Sequence, residues 1–379
     1  MEVLLTGTES AKGIVAARAL GTQGINFITS SHKKNTPASY SKYSSGHVVY
    51  SDPLAEPVKF INDLISIIKN NNIKVLMPLH SRETKIISKN KKILEEVVSI
   101  PLVDYKKFSL VDNKRSLNQI ATKLNLRTPK TIFPKNLGDL KNLDLKFPLV
   151  IKIQEGQGNK GLSYANNYEE LHHNFESTIK KHNLKIENYP IVQEYIEGKG
   201  LGTSVLYSNG KMQAFLSHLR LRENPPSGGP STFRVSLRNK KAEKISKKLM
   251  DYIGWHGIAM LEFKLDNQTN EPYLIEVNPR FWGSMYQPIA SGLNFPYWLY
   301  LISQNKSLNF KKEVALGIKT RFLALDIISF LAHFRYNNDK LRFLKSYLSF
   351  KDTRFDLESF QDFRPIFLYY IECLRKLNL

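Results

Sequence analysis

Short apolar runs alternate with amphipathic stretches over the first hundred residues: 3–5, then 13–20, then 26–29, and later 60–68 before 75–77. Runs of strand length set between stretches of helical period predict parallel βαβ units, each helix returning the chain to the start of the next strand. The Gly7-Thr8 turn after the first run, followed by Gly13 at a helix start, has the form of the ligand-facing loop of a doubly wound sheet. It is not a full dinucleotide fingerprint, so cofactor binding there is the weaker reading.

Asp112-Asn113-Lys114 opens an amphipathic helix that reaches about 124, and the Thr128-Pro129 step closes it. The pattern then changes. Residues 147–153 read as a strand, 155–161 as a glycine-rich loop and 168–181 as a helix, with further strands at 190–195, 203–207, 211–219, 258–264 and 273–277. This is an α+β unit. Beyond 308 strand signals stop and apolar residues recur at helical spacing among Lys and Arg, as in Phe330, Leu331 and Phe334, or Phe367, Tyr370 and Leu374. The expected organisation is therefore a doubly wound α/β domain over 1–108, an α+β catalytic domain over 109–308 and a basic helical extension over 309–379. No internal repeat is visible.

Composition narrows the class. A chain of 379 residues exceeds one ordinary core. The single cysteine, Cys373, leaves no intrachain disulfide and favours a reducing, cytoplasmic setting. The N-terminus reads as a first strand rather than a leader, and no apolar run reaches the length of a spanning helix. The net charge of +21 calls for an anionic partner such as nucleotide phosphates, nucleic acid, anionic lipid or an acidic substrate, although Asn/Lys-rich stretches such as 69–74 also fit biased base composition.

The strongest chemical feature is the pair of runs Met260-Leu261-Glu262-Phe263-Lys264 and Leu274-Ile275-Glu276-Val277-Asn278-Pro279-Arg280, joined by turn residues 266–270. As a hairpin these place Glu262, Glu276 and Asn278 on one face, because residues two apart share a side of a strand. Three hard oxygen donors suit Mg²⁺, which takes one or two carboxylates and completes its shell with water and phosphates. Arg280 projects beside them, placed to neutralise phosphoryl oxygens. Lys152 lies among branched apolar residues, where burial is costly unless an anion meets it. The loop that follows, with Gly156, Gly158 and Gly161, lets backbone N–H groups approach phosphates. Gln193, Glu194, Tyr195 and Ile196 lie at a strand end that by itself is ordinary, and whose exposed backbone could offer the donor and acceptor that an adenine edge needs.

Taken in order, these pieces resemble the ATP-grasp superfamily, most closely its carboligase branch that looks like the large chain of carbamoyl phosphate synthase. The resemblance runs from the N-terminal βαβ region, similar to that superfamily's preceding domain, to Ser284, and Glu276-Val277-Asn278-Pro279-Arg280 is its most specific element. It implies that Lys114 and Lys152 hold ATP phosphates under the glycine loop and that Glu194 and Ile196 meet adenine. It also implies that Glu262 and Glu276 ligate Mg²⁺ (Mn²⁺ being the alternative ion) with Asn278 on the second ion, and that Arg280 stabilises an acyl phosphate. One departure is that no carboxylate follows the adenine strand in Gly198-Lys199-Gly200-Leu201-Gly202-Thr203, so ribose recognition is unassigned.

The segment 217–234 stands where such enzymes vary with their acceptor. Its Pro and Gly content reads as a loop, and Arg220, Arg222 and Arg234 are candidates for a substrate carboxylate or phosphate. His218 is the candidate base for an attacking amine, against the plainer reading of a structural histidine. Trp282 with Gly283 is a candidate substrate wall. The expected activity is an ATP-dependent joining of a small-molecule, peptide or sugar carboxylate to an amine. The alternatives are carboxylation or carbamoylation through carboxyphosphate from bicarbonate and, less favoured for want of a zinc pattern or aromatic RNA-binding signature, a basic nucleic-acid-binding protein. The aromatic and basic extension allows peripheral contact with the inner face of an anionic membrane, with packing against the catalytic domain the preferred reading. A homodimer is the association that the resemblance suggests.

Overall fold

The computed structural model describes residues 1–156, 161–225, 228–308, 314–336, 339–348 and 350–376. Four parallel strands, β1 (Val3–Thr6), β2 (Phe27–Ser31), β3 (Ser44–Val49) and β4 (Val75–Pro78), form the N-terminal sheet in the order β3-β2-β1-β4. β1, β2 and β4 are buried along their whole length. Their side chains alternate between two cores: Val3 and Leu5 face the helix Ala11–Gly21, while Leu4 faces Phe60, Leu64 and Ile68 of the helix Pro57–Asn70. A strand covered on both faces reads as a continuous apolar run, the pattern of this region's sequence.

A small antiparallel sheet follows: β5 (Thr131–Ile132), β6 (Leu149–Lys152), β7 (Leu162–Ala165) and β8 (Ile191–Glu194), in the order β5-β8-β6-β7. The larger sheet contains β9 (Gly198–Ser208), β10 (Lys211–Glu223), β11 (Ser231–Leu237), β12 (Gly257–Asp266), β13 (Pro272–Asn278), β14 (Lys319–Arg321) and β15 (Thr353–Phe355), ordered β13-β12-β9-β10-β11-β14-β15. The helix Lys240–Ile253 covers one face through Leu249, Met250 and Ile253, each worth about 1.5–3 kcal/mol when fully buried. The mixed α/β and α+β class is as expected.

Two expectations need correction. Segment 217–234 is mostly strand: β10 continues through Leu219, Arg220, Leu221 and Arg222 to Glu223, with its pairing to β11 shifted after Arg220, and β11 begins at Ser231. Beyond 308 the chain is largely helical, yet β14 and β15 join the large sheet there. Three-residue strands are too short to show a period. The C-terminal part also packs into the core shared with the N-terminal sheet, through Phe322, Ala324 and Leu357. Asp362 fastens it there by accepting from Arg18 Nε, Ser41 Oγ and the Lys42 N–H, each at 2.9 Å. No helix among the described residues is long and apolar enough to cross a membrane.

Candidate active site

Between the small and the large sheet lies a cleft of about 280 Å³. Its base is the β12–β13 hairpin, whose register sets Glu262 directly opposite Glu276 and Met260 opposite Asn278. Asn278 Nδ2 donates to Glu262 Oε1 at 2.9 Å, and Arg280 Nη2 donates to Asn278 Oδ1 at 2.7 Å. Arg220, reaching from β10, pairs with the other oxygen of Glu262 and with Glu223 at 3.1 Å. Lys114 Nζ lies 3.4 Å from Glu276 Oε2. Its place is fixed by Asn113, whose side chain caps the helix Lys114–Lys123 by accepting from the Arg115 and Ser116 N–H groups. Lys152 enters from β6 and donates to Gln193 Oε1 at 2.9 Å, and Gln193 in turn donates to Thr131 Oγ1 at 2.9 Å.

The charges act on one another. Burial is the largest influence on Glu276 and pushes its carboxyl up, but Lys114, Lys152 and Arg220 outweigh it and hold the group below the ordinary glutamate range. Glu262 goes the other way, raised by burial against the pull of Arg220. Burial lowers Lys152 to about 8 and also lowers Arg280. The donor set fits a hard divalent cation: two facing carboxylates and an amide oxygen lie together, with the Arg220 and Lys114 cations already drawn to the positions that such an ion would neutralise. Lining cations barely outnumber lining carboxylates, so a triphosphate needs its own counter-ion to be held here.

Lys114, Lys152, Gly156, Gly161, Gln193, Glu194, Tyr195, Ile196, Arg220, Glu262, Glu276, Asn278, Arg280 and Trp282 all line this cleft. Gly158 lies outside the described residues. Trp282 is 1% exposed and meets Phe295 edge-on, so it backs the wall rather than projecting from it. Three candidates are not brought to the cleft. Arg222 is buried in a two-point pair with Asp326 at 3.0 and 2.6 Å, and Arg234 is buried against Asp356. These arginines fasten the C-terminal segment to β10 and β11 and lie buried away from the cleft. His218 is fully enclosed, with Nε2 3.4 Å from Ser284 Oγ and its pKa lowered by burial and by Arg234 and Arg220. Residues overlooked in the sequence also line the cleft, among them Tyr164, Glu223 and Lys264. Lys264 was findable, since it follows Glu262 by two on the same strand face. Glu223 was obscured by the reading of 217–234 as a loop.

Residues 111–284 match the family described as the ATP-grasp domain. The chain is 24% identical over 239 residues to the carbamoyl-phosphate synthase of Methanobrevibacter smithii, covering 59% of this chain and 62% of that protein. It is 29% identical over 177 residues to the D-alanine–D-alanine ligase of Fusobacterium nucleatum, covering 44% and 55% respectively. The matched parts thus span little more than half of these curated relatives. Among solved structures, the biotin carboxylase domain of the Hydrogenobacter thermophilus 2-oxoglutarate carboxylase, in complex with MgADP, ADP and bicarbonate, superposes with a TM-score of 0.68. It is 16% identical, covering 84% of this chain and 73% of that one.

Proposed function

Taking as premise that residues 111–284 are an ATP-grasp domain, we propose that the chain is a Mg²⁺- and ATP-dependent ligase that activates a substrate carboxylate as an acyl phosphate and joins it to an amine. The observation that carries this reading is the convergence of Glu262, Glu276 and Asn278 with Lys114, Lys152 and Arg280 in one cleft. Glu262, Glu276 and Asn278 would hold magnesium, which when bound neutralises phosphate charge; Mn²⁺ is the alternative ion. Lys114 and Lys152 bind the phosphates, and the strand end from Gln193 to Ile196 receives adenine.

The substrate carboxylate oxygen attacks the γ-phosphorus and the bond to ADP breaks, with Arg280 stabilising the charge on the transferring group. The amine then attacks the acyl carbon, phosphate leaves with one carboxylate oxygen, and the amine proton is lost. Arg220, the member of its arginine set that lines the cleft, orients the carboxylate. His218 is assigned no proton transfer. A second reading, attack by bicarbonate, is favoured by the likeness to a carbamoyl-phosphate synthase.

The test is ADP release with MgATP and pools of amino acids, short peptides, amino sugars or bicarbonate. One pool should stimulate the wild type and leave Glu276→Gln silent. Equal turnover in that variant overturns the site assignment, and stimulation by bicarbonate alone selects the second reading.

A further inference from the structure

The carboxyl edge of the N-terminal sheet carries a second charged cluster, made by the Gly7-Thr8 loop and its neighbours. Glu9 and Lys12 follow β1, His32 follows β2, and His80, Arg82 and Glu83 follow β4. Loops at this edge of a parallel sheet are where open α/β folds receive ligands. Ligating atoms of Glu9, His32 and Glu83 lie within 4.8 Å of one another. Arg82 sits among them: Nη2 pairs with Glu9 and lies 3.3 Å from His32 Nδ1, and Nε donates to Glu83 Oε1 at 3.1 Å. Tyr50 Oη donates to the same oxygen at 3.1 Å and accepts the Gly7 N–H at 2.9 Å.

Two features point to a ligand. Glu83 is fully buried, yet its Oε2 has no hydrogen-bond partner among the described residues, and such an oxygen costs about 1–3 kcal/mol if left so. It faces Gly7, where φ is +70° and a Cβ would lie 2.9 Å from His80 Cβ, so that the loop is kept free of a side chain. Lys12 is 8% exposed and has three protons to give, but among the described residues it meets a single acceptor, Leu79 O at 3.1 Å. Burial lowers Lys12, and Arg280 of the ATP cleft lowers it further. The two sites are therefore within electrostatic reach of each other.

The mixture of signs restricts the ligand. Glu9 repels a bare carboxylate, Arg82 repels a bare amine, and Arg82 lies among the ligating atoms that a metal ion would need. A molecule carrying both charges a few ångströms apart satisfies both sets. We propose that this edge is the amine-substrate subsite and takes a free α-amino acid, its ammonium against Glu9 and Glu83 and its carboxylate against Lys12 and Arg82. The assignment as substrate site rests on the ligase reading; the binding itself does not.

Titration calorimetry on the full chain, with and without a non-hydrolysable MgATP analogue, tests it with each standard α-amino acid in both hands. At least one should bind, and its analogues lacking the amino or the carboxyl group should bind at least ten-fold more weakly. Glu9→Gln, nearly isosteric and on a partly exposed loop, should lose at least ten-fold in affinity, as should Lys12→Met, with thermal unfolding checking that each variant folds. Failure of every amino acid to bind, equal binding of either analogue, unchanged affinity in folded Glu9→Gln, or Mn²⁺ binding abolished by that variant would each overturn the proposal. Amino-acid binding without ADP release sinks the ligase reading and leaves the subsite, whereas stimulated ADP release indifferent to Glu9→Gln does the reverse.

Discussion

Lys152 should give nucleotide binding a distinctive dependence on pH. Its ammonium is enclosed at the end of β6 beside Gln193, and burial lowers its pKa from 10.5 to about 8. At pH 8 about half of the empty molecules then carry a neutral amine. A triphosphate held against the group favours the charged form, so binding should take up about half a proton at pH 8 and about nine-tenths of one at pH 9. Affinity should be flat below about pH 7, fall about five-fold between pH 8 and 9, and approach a ten-fold loss per unit above that. Calorimetry of MgATP binding in two buffers of different ionisation enthalpy reads the uptake directly, with Lys152→Met as the variant that should show none. Buffer-independent heat at pH 8.5, or equal uptake in Lys152→Met, would refute the placement of Lys152 against phosphate. The sign for stability follows from the same shift. The unfolded chain holds this proton to higher pH than the folded one, so folding is penalised below pH 8 by at most about 3 kcal/mol, and the penalty fades as pH rises towards 10.5.

Other substitutions separate chemistry from scaffold. Glu276→Gln should lower ADP formation by about 10²-fold or more with an unchanged circular dichroism spectrum, and comparable rates would count against the metal-nucleotide site. Asp326→Ala removes the buried carboxylate that Arg222 and Arg321 both face and should cost about 3–5 kcal/mol in urea unfolding; a loss below about 1 kcal/mol would mean that water reaches the pair. Gly202→Ala sets a Cβ 2.4 Å from the His218 ring and should destabilise by about 1–3 kcal/mol, which a thermal melt would detect.

The parts most legible in the sequence were those whose burial and chemistry conflict. A glutamate and an asparagine two apart in an apolar strand, Glu276 and Asn278, have few structural excuses, and the hairpin register sets Glu262 opposite. Lys152 was legible for the same reason. Arg222 and Arg234 were not, because a charged residue alternating with apolar ones reads alike whether it meets substrate or a distant acid. Arg222 and Arg234 find Asp326 and Asp356 more than ninety positions later in the chain. Nothing local marks that pairing. β14 and β15 were hidden too, since such three-residue strands form only because β11 offers an edge to β14 and β14 in turn offers one to β15. The charged edge after β1, β2 and β4 escaped notice because its members are scattered over seventy-odd positions and meet only when the parallel sheet forms.

The central claim, transfer of the γ-phosphoryl group to a carboxylate, is tested most directly by isotope. With a stimulating acid labelled with ¹⁸O in both carboxylate oxygens, the account predicts that the inorganic phosphate formed at each turnover carries one ¹⁸O atom and the product the other. Unlabelled phosphate, with both labelled atoms kept in the acid or its product, would contradict it.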